Sequence, residues 1–372
     1  MRKIFRFLLL VIAFLSMTTV HAQDPHFWIF LCLGQSNMAG CAPAEAQDYD
    51  IPDDFLSLSA TNGADGRRVG KWRKALPPIC RQGTKLSPVD YFGREILERA
   101  PEGTRVGVVS VAVEGCPITF FDKDACAEPI AVEKRDWMNN ILNEYGRNPY
   151  KRLVDMARIA QREGVIKGIL LHQGETDAYS PEWQQRVYKI YKDLQQDLKF
   201  SGDSVPLLVG EVVREEYGGV CAHANPTIDD IVNHYHNVYV VSAEGCAPGS
   251  DNVHFCSEGY RQLGRNYAHR YLQLRGLDVA PRKTEVTTNT VVTYVKSFDV
   301  GASVNLDRMM SADATKPLEK VEIVSFSGQT IKTIDAGGAT TVKINLKELP
   351  RESLVFVFKS TEGETSTIKL DY

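Results

Sequence analysis

Several things are scarce in this 372-residue chain, and each scarcity removes a class of function. Positive charge is the first: 43 lysines and arginines face 47 aspartates and glutamates, for a net charge of −4, and the basic residues are scattered. That is not the electrostatic footprint of a nucleic-acid binder. Long apolar runs are also rare. One covers Phe7 to Met17, behind Arg2, Lys3 and Arg6 and ahead of Val20-His21-Ala22. It is too short to span a bilayer and predicts a secretory signal peptide over residues 1–22, cleaved near Ala22-Gln23. A secreted or periplasmic protein with no membrane span after cleavage is expected. CxxC pairs are missing too: the eight cysteines, all between Cys32 and Cys256, are not spaced like a zinc site. In an exported chain they are compatible with disulfides, and Cys116–Cys126 and Cys246–Cys256 are the expected local pairs. Cys32, inside an apolar run, reads as a buried thiol. After Arg282 there is neither cysteine nor histidine, so no chemistry is expected there.

What remains after the leader is about 350 residues, more than one core usually holds, so two domains are expected. From Phe27 to Gly276, near-continuous apolar runs alternate with helix-period segments. The runs Phe27 to Leu33, Thr104 to Val113, Val165 to His172, Val205 to Glu211 and Val238 to Ser242 suit a parallel sheet buried on both faces. Leu153, Met156, Ala157 and Ala160 mark one helical stripe, and Val187, Ile190, Tyr191, Leu194 and Leu198 another. Ser257 is the expected cap of a last helix through Tyr271. The reading is a doubly wound α/β sandwich of about five strands over residues 23–280, with Cys41 to Ser87 as a long irregular insertion. Beyond residue 285 the pattern turns to period two, as in Val342-Lys343-Ile344-Asn345-Leu346, predicting a small antiparallel β module over 285–372.

In open α/β sheets, ligands collect at the carboxyl ends of the strands. The suspicious residues all fall there. Ser36 of Gly34-Gln35-Ser36-Asn37-Met38 follows the first strand, Gly115 the second, and Gln173 and Glu175 the third. Asp251 and His254 of Asp251-Asn252-Val253-His254-Phe255 precede the final helix. A serine hydroxyl needs an imidazole to take its proton and a carboxylate to hold that imidazole's tautomer. Ser36, His254 and Asp251 supply those parts, with Glu175 as the other candidate acid or as a brace for its loop. Met38 stands where a G-x-S-x-G elbow requires glycine, which argues against an α/β-hydrolase. Gln173 and the N–H groups of Ser36 and Gly115 are the candidate oxyanion donors. Asn37 and Trp72 are the candidate substrate contacts, Trp72 as a stacking face. Trp28, Trp137 and Trp183 read as packing residues. A His172/Glu175/His254 metal site is the rival use of the same residues and leaves the serine unexplained.

At GQSNMAG, HQGETD and DNVHF the chain resembles the SGNH hydrolase superfamily, in particular the sialate O-acetylesterase domain and the carbohydrate esterase family six acetyl xylan esterases. The match covers roughly residues 26 to 274. The resemblance implies a flavodoxin-like three-layer α/β/α sandwich, no metal or organic cofactor, and removal of acetyl groups from sugars. It makes Ser36 the nucleophile and His254 the base, with Asp251 its partner, and points to Gly115 and Gln173 for the oxyanion hole. The superfamily's usual oxyanion asparagine is replaced here by Gln173, as in this branch. The tail from about 315, through Val321-Glu322-Ile323-Val324-Ser325-Phe326, is similar to C-terminal sorting domains of secreted Bacteroidetes proteins, which implies export to the cell surface; an Ig-like spacer is the duller reading.

The expectation is therefore a cofactor-free serine carbohydrate esterase acting on an acetylated carbohydrate, sialic acid or acetylated xylan, through an acetyl-enzyme. A non-catalytic carbohydrate-binding protein on the same fold, a metal-dependent hydrolase and a lipase-like enzyme are the rivals.

Overall fold

The computed structural model describes residues 23–180, 182–277, 292–296, 298, 300–304, 308–325, 330–350 and 354–370. The leader at 1–22 and part of the tail segment compared with sorting domains lie outside the described residues.

Seven strands form one sheet: β1 Asp24–Gly34, β2 Phe55–Leu58, β3 Trp72–Lys74, β4 Arg105–Ala112, β5 Gly164–His172, β6 Leu207–Gly210 and β7 Val238–Val241, in the order β3-β2-β4-β1-β5-β6-β7. All neighbours are parallel except β3, which pairs antiparallel with β2 at one edge. The five predicted runs are β1, β4, β5, β6 and β7. The two extra strands lie inside the supposedly irregular insertion; Phe55-Leu56-Ser57-Leu58 and Trp72-Arg73-Lys74 are short and broken by polar residues, so neither leaves a continuous apolar run.

β1 alternates its side chains between two cores, as a strand buried on both faces must. Phe27, Ile29, Leu31 and Leu33 enter one, with Leu153, Ala157, Val187 and Leu194. Phe30 and Cys32 enter the other, with Phe92, Ile96, Tyr267 and Tyr271. The helices that supply those residues follow the chain as α1 Ser36–Ala39, α2 Pro88–Arg99, α3 Ala127–Ala131, α4 Asp136–Glu144, α5 Pro149–Ala160, α6 Trp183–Leu198, α7 Asn225–Asp230 and α8 Ser257–Leu274. α5 and α6 cover the first face, α2 and α8 the second. Burying a side chain of Leu or Phe size contributes roughly 1.5–3 kcal/mol, so the two cores hold the sheet rigid beneath its loops. This is the expected three-layer sandwich.

The order places a switch at β1. The chain leaves β1 for one side of the sheet, through β2 to β4, and then returns to build β5, β6 and β7 on the other. Crevices for ligands open outside the carboxyl ends at such a point, and Ser36 lies two residues beyond β1.

The chain divides into two compact units with the boundary at residue 280/281. The second is antiparallel throughout, with sheets ordered β13-β10-β9 and β12-β11-β14-β15-β8, where β8 to β15 are Val292–Lys296, Val300–Val304, Met309–Ala314, Leu318–Ser325, Thr330–Asp335, Thr341–Asn345, Leu354–Ser360 and Thr365–Leu370. Its core includes Val321, Ile323, Phe356 and Phe358. Among the described residues, no helix is long and apolar enough to cross a membrane.

The expected disulfides are not formed: all eight cysteines are free. The Cys116 thiol points at the Gly34 carbonyl (3.9 Å) and that of Cys126 at the Lys123 carbonyl (4.0 Å). Cys246 faces the Glu244 carbonyl at 3.7 Å, while the Cys256 sulfur accepts the Gly259 N–H at 3.4 Å. Short sequence spacing brought neither pair into bonding geometry. Cys32 is fully buried, as read.

Candidate active site

Gly34 ends β1 against β5, and a Cβ there would sit 2.0 Å from the His172 carbonyl oxygen. Only glycine allows that approach. The Gln35 N–H then donates to the same carbonyl at 3.0 Å, so the chain turns sharply and Ser36 begins α1 at the carboxyl edge.

Ser36 Oγ lies 2.9 Å from Nε2 of His254, 218 positions away, and Nδ1 of His254 lies 2.6 Å from Oδ2 of Asp251. The other Asp251 oxygen accepts the backbone N–H groups of Val253 (3.0 Å) and His254 (2.9 Å). One carboxylate thus shapes the turn and fixes the ring. Although burial works against ionisation, those N–H groups and the imidazole bring the Asp251 carboxyl down to about 2. His254 moves the other way, pushed up to about 9 by the nearby Cys41 sulfur, and by the Asp251 carboxylate against the cost of burial. The N-terminus of α8, which begins three residues on, does not outweigh these partners.

Glu175 is not the acid on His254. It is buried, and burial raises its carboxyl above the ordinary range. Its Oε1 accepts from Asn37 Nδ2 at 2.5 Å. Asn37, expected at the substrate, is fully buried and has spent its amide: Nδ2 also donates to the Val253 carbonyl (3.0 Å), while Oδ1 accepts the Phe255 N–H (3.3 Å) and the Tyr260 hydroxyl (2.7 Å). Asn37 therefore clamps the 253–255 loop, and with it His254, to the Ser36 turn, and Glu175 orients the clamp.

Gln173 is likewise committed. Nε2 donates to Gln35 Oε1 (3.1 Å), the Cys116 carbonyl (3.3 Å) and Asp177, and Oε1 accepts the Trp183 indole N–H at 2.5 Å. A primary amide has two hydrogens, so none is left for an oxyanion. The side chain instead locks the Gly115–Cys116 turn to the Ser36 turn. Asp177 adds a bond from the Ile118 N–H at 2.8 Å. Gly115 adopts φ +61°, and among the described residues neither its N–H nor that of Ser36 donates to a protein group.

Two other expectations fail on position. Trp72 packs on Phe27, with ring centroids 4.9 Å apart, and its indole N–H donates to Glu163 at 3.0 Å. Phe27 lies in the first half of β1 and Glu163 just before β5, so the Trp72 indole points to the amino edge, about 20 Å from Ser36 by strand length. His172, Glu175 and His254 do not gather around one point. Both ring nitrogens of His254 are engaged by Ser36 and Asp251. His172 is fully buried, with Nδ1 on the Tyr267 hydroxyl at 3.2 Å, and burial lowers it to about 3. The one carboxylate group with ligand spacing among the described residues, Asp122, Asp124 and Asp193, surrounds the Lys189 ammonium at 2.6–2.8 Å.

Missed in the sequence were Gln35, Trp183, Tyr260 and Cys41, whose thiol lies 3.4 Å from the Ser36 carbonyl. Gln35 and Tyr260 act through partners 138 and 223 positions away, and no local pattern announces any of the four.

Residues 26–273 match the family model described as carbohydrate esterase, sialic acid-specific acetylesterase. A protein of Arabidopsis thaliana named as a probable carbohydrate esterase is 28% identical over 274 residues, 68% of this chain and 93% of that one. A solved Arabidopsis thaliana structure superposes with a TM-score of 0.52 at 21% identity, covering 67% of this chain and 99% of the other. A carbohydrate acetylesterase of Xanthomonas citri gives 0.47 at 13% identity, over 92% of this chain and 77% of its own. With the family model spanning the whole of the sandwich and its site, this chain belongs to the sialic acid-specific acetylesterase family of carbohydrate esterases.

Proposed function

We propose that the protein removes O-acetyl groups from sugars through an acetyl-enzyme on Ser36. The single observation that carries this reading is the continuous relay Ser36 Oγ–His254 Nε2 at 2.9 Å and His254 Nδ1–Asp251 at 2.6 Å. Both contacts are within hydrogen-bond reach before any substrate arrives.

His254 takes the Ser36 proton as Oγ attacks the acetyl carbonyl. The ring becomes imidazolium, which the Asp251 carboxylate stabilises without itself gaining a proton. Negative charge develops on the carbonyl oxygen, and the N–H groups of Ser36 and Gly115 receive it. Such donors act strongly because they are already oriented, and removing one typically costs ~10²–10³ in turnover. Gln173 and Asn37 are positioning residues: one fixes the Gly115 turn and the other the His254 loop. The sugar alkoxide leaves with the proton from Nε2. Water, deprotonated by His254, then releases acetate and restores Ser36.

The test is acetate release from acetylated xylan and from O-acetylated sialic acid by purified wild type and Ser36→Ala. Wild-type release that vanishes in a folded Ser36→Ala protein supports the reading; undiminished release by the variant defeats it.

A further inference from the structure

We infer that Trp137, with Arg135, forms the surface on which the pyranose ring of a neutral acetylated sugar rests while its ester occupies the Ser36 site; this rests on the esterase reading above.

Large apolar side chains are seldom left in water without cause when they cluster beside a site. Among the described residues the exposed large apolar side chains are Tyr49, Val132, Trp137, Tyr179, Val220 and Val232, and Trp137 comes from the segment that follows β4 at the carboxyl edge. Trp137 is 48% exposed. Its neighbours on α4, Met138, Ile141 and Leu142, turn inward and are buried, so the helix anchors the indole without covering it.

Its position relative to the reaction is the decisive point. A Cβ placed on Gly115 would meet Trp137 Cη2 at 3.2 Å, Met138 Cε at 3.6 Å and Arg135 Nη1 at 4.0 Å. Covalent geometry then puts the indole within about 6 Å of the Gly115 N–H. An acetyl oxygen held about 3 Å from that N–H brings the sugar carbon bearing the ester alongside the indole. A pyranose presents a face of C–H groups, and an aromatic face buries them at little entropic cost.

Arg135 supplies polarity without net charge. Its guanidinium forks onto Glu133, with Nε–Oε1 at 2.8 Å and Nη2–Oε2 at 2.6 Å, and lies 5.4 Å from the Trp137 ring centre. Among the described residues Nη1, the nitrogen facing the Gly115 side, donates to no protein group. It is placed to donate to a ring hydroxyl or to an acetyl oxygen. Glu133 already balances Arg135 and the neighbouring Arg81 is paired with Glu114, so neither guanidinium is left as the counter-ion of a carboxylate on the sugar. The occupant is therefore a neutral ring.

The test uses the full chain with methyl xyloside triacetate, which carries the ring, and ethyl acetate, which does not. In Trp137→Ala the ratio of kcat/KM for the sugar ester to that for ethyl acetate falls about 10-fold, mostly through KM, and Trp137→Phe recovers most of it. An unchanged ratio overturns the platform. Binding supplies a second readout that needs no turnover. Titrating Ser36→Ala with the triacetate gives a saturable change in indole fluorescence, which the double variant carrying Trp137→Phe loses; persistence of the change overturns the proposal. If wild type released acetate from neither ester, the esterase reading would fall, and this titration would still decide the platform.

Discussion

Asp251 and Glu175 both compete on paper for the role of holding His254, and exchanging each for its amide separates them. In Asp251→Asn the remaining carbonyl oxygen is drawn by the two backbone N–H groups that now sit at 3.0 and 2.9 Å. The amide NH₂ then faces Nδ1, where the carboxylate stood at 2.6 Å. Two donors cannot share that bond, so the ring moves its proton to Nε2 and offers Ser36 a donor instead of a base. Losing the tautomer and the imidazolium's counter-charge together costs about 10³–10⁴ in kcat/KM, or roughly 4–5.5 kcal/mol of transition-state stabilisation. Glu175→Gln behaves differently. Its Oε1 still accepts from Asn37, and the oxygen replaced, Oε2, has no partner, so kcat/KM stays within about 10-fold. Initial rates on an acetyl ester at pH 9, with circular dichroism to verify folding, measure both. A folded Glu175→Gln enzyme that loses 10³-fold beside an Asp251→Asn enzyme that keeps a tenth of its activity would refute the assignment.

Other consequences follow from the same geometry. With His254 pushed up to about 9, the neutral base is scarce at pH 7, so kcat/KM climbs about tenfold per pH unit until it levels above pH 9; a plateau already reached at pH 7 would contradict this. The sign for stability is opposite: a raised imidazole contributes fully below its unfolded value of about 6.5 and loses that contribution as pH rises through 9, which denaturant midpoints at pH 6 and 10 will show. Gln173→Ala strips the Trp183 indole and the Cys116 carbonyl of their partner and costs about 2–4 kcal/mol in denaturant unfolding, with a fall in kcat as the Gly115 turn loosens. Gly34→Ala, with its Cβ 2.0 Å from the His172 carbonyl oxygen, costs at least about 3 kcal/mol or fails to fold. Normal stability of that variant would show the β1–β5 approach to be looser than described.

The sandwich was legible because both faces of β1, β4 and β5 are apolar for most of their length, and that signal survives without any knowledge of contacts. Ser36, His254 and Asp251 were legible because the strand direction sends each to the same edge, and because residues 251 and 254 lie close enough in sequence for one turn to join them. What lay hidden was partnership. Asn37 looks like a substrate contact beside the serine, yet its bonds run to positions 138, 216 and 223 residues away. Gln173 reads as an oxyanion amide until Gln35, Cys116 and Asp177 are seen to occupy its hydrogens. Trp72 was misplaced for another reason. The insertion that holds it forms two short strands, and although Trp72 pairs with Leu58 at the end of β2, its indole reaches back to Phe27 and Glu163. The same blindness to packing made Trp137 read as a packing residue, although α4 leaves its indole half exposed beside Gly115.

The most direct test of the central claim is covalent. Treating the active protein with a fluorophosphonate and mapping the adduct by mass spectrometry should place one label on Ser36, with activity lost in proportion and labelling abolished in His254→Ala. A label on any other residue, or full activity in a protein fully labelled at Ser36, would contradict the account.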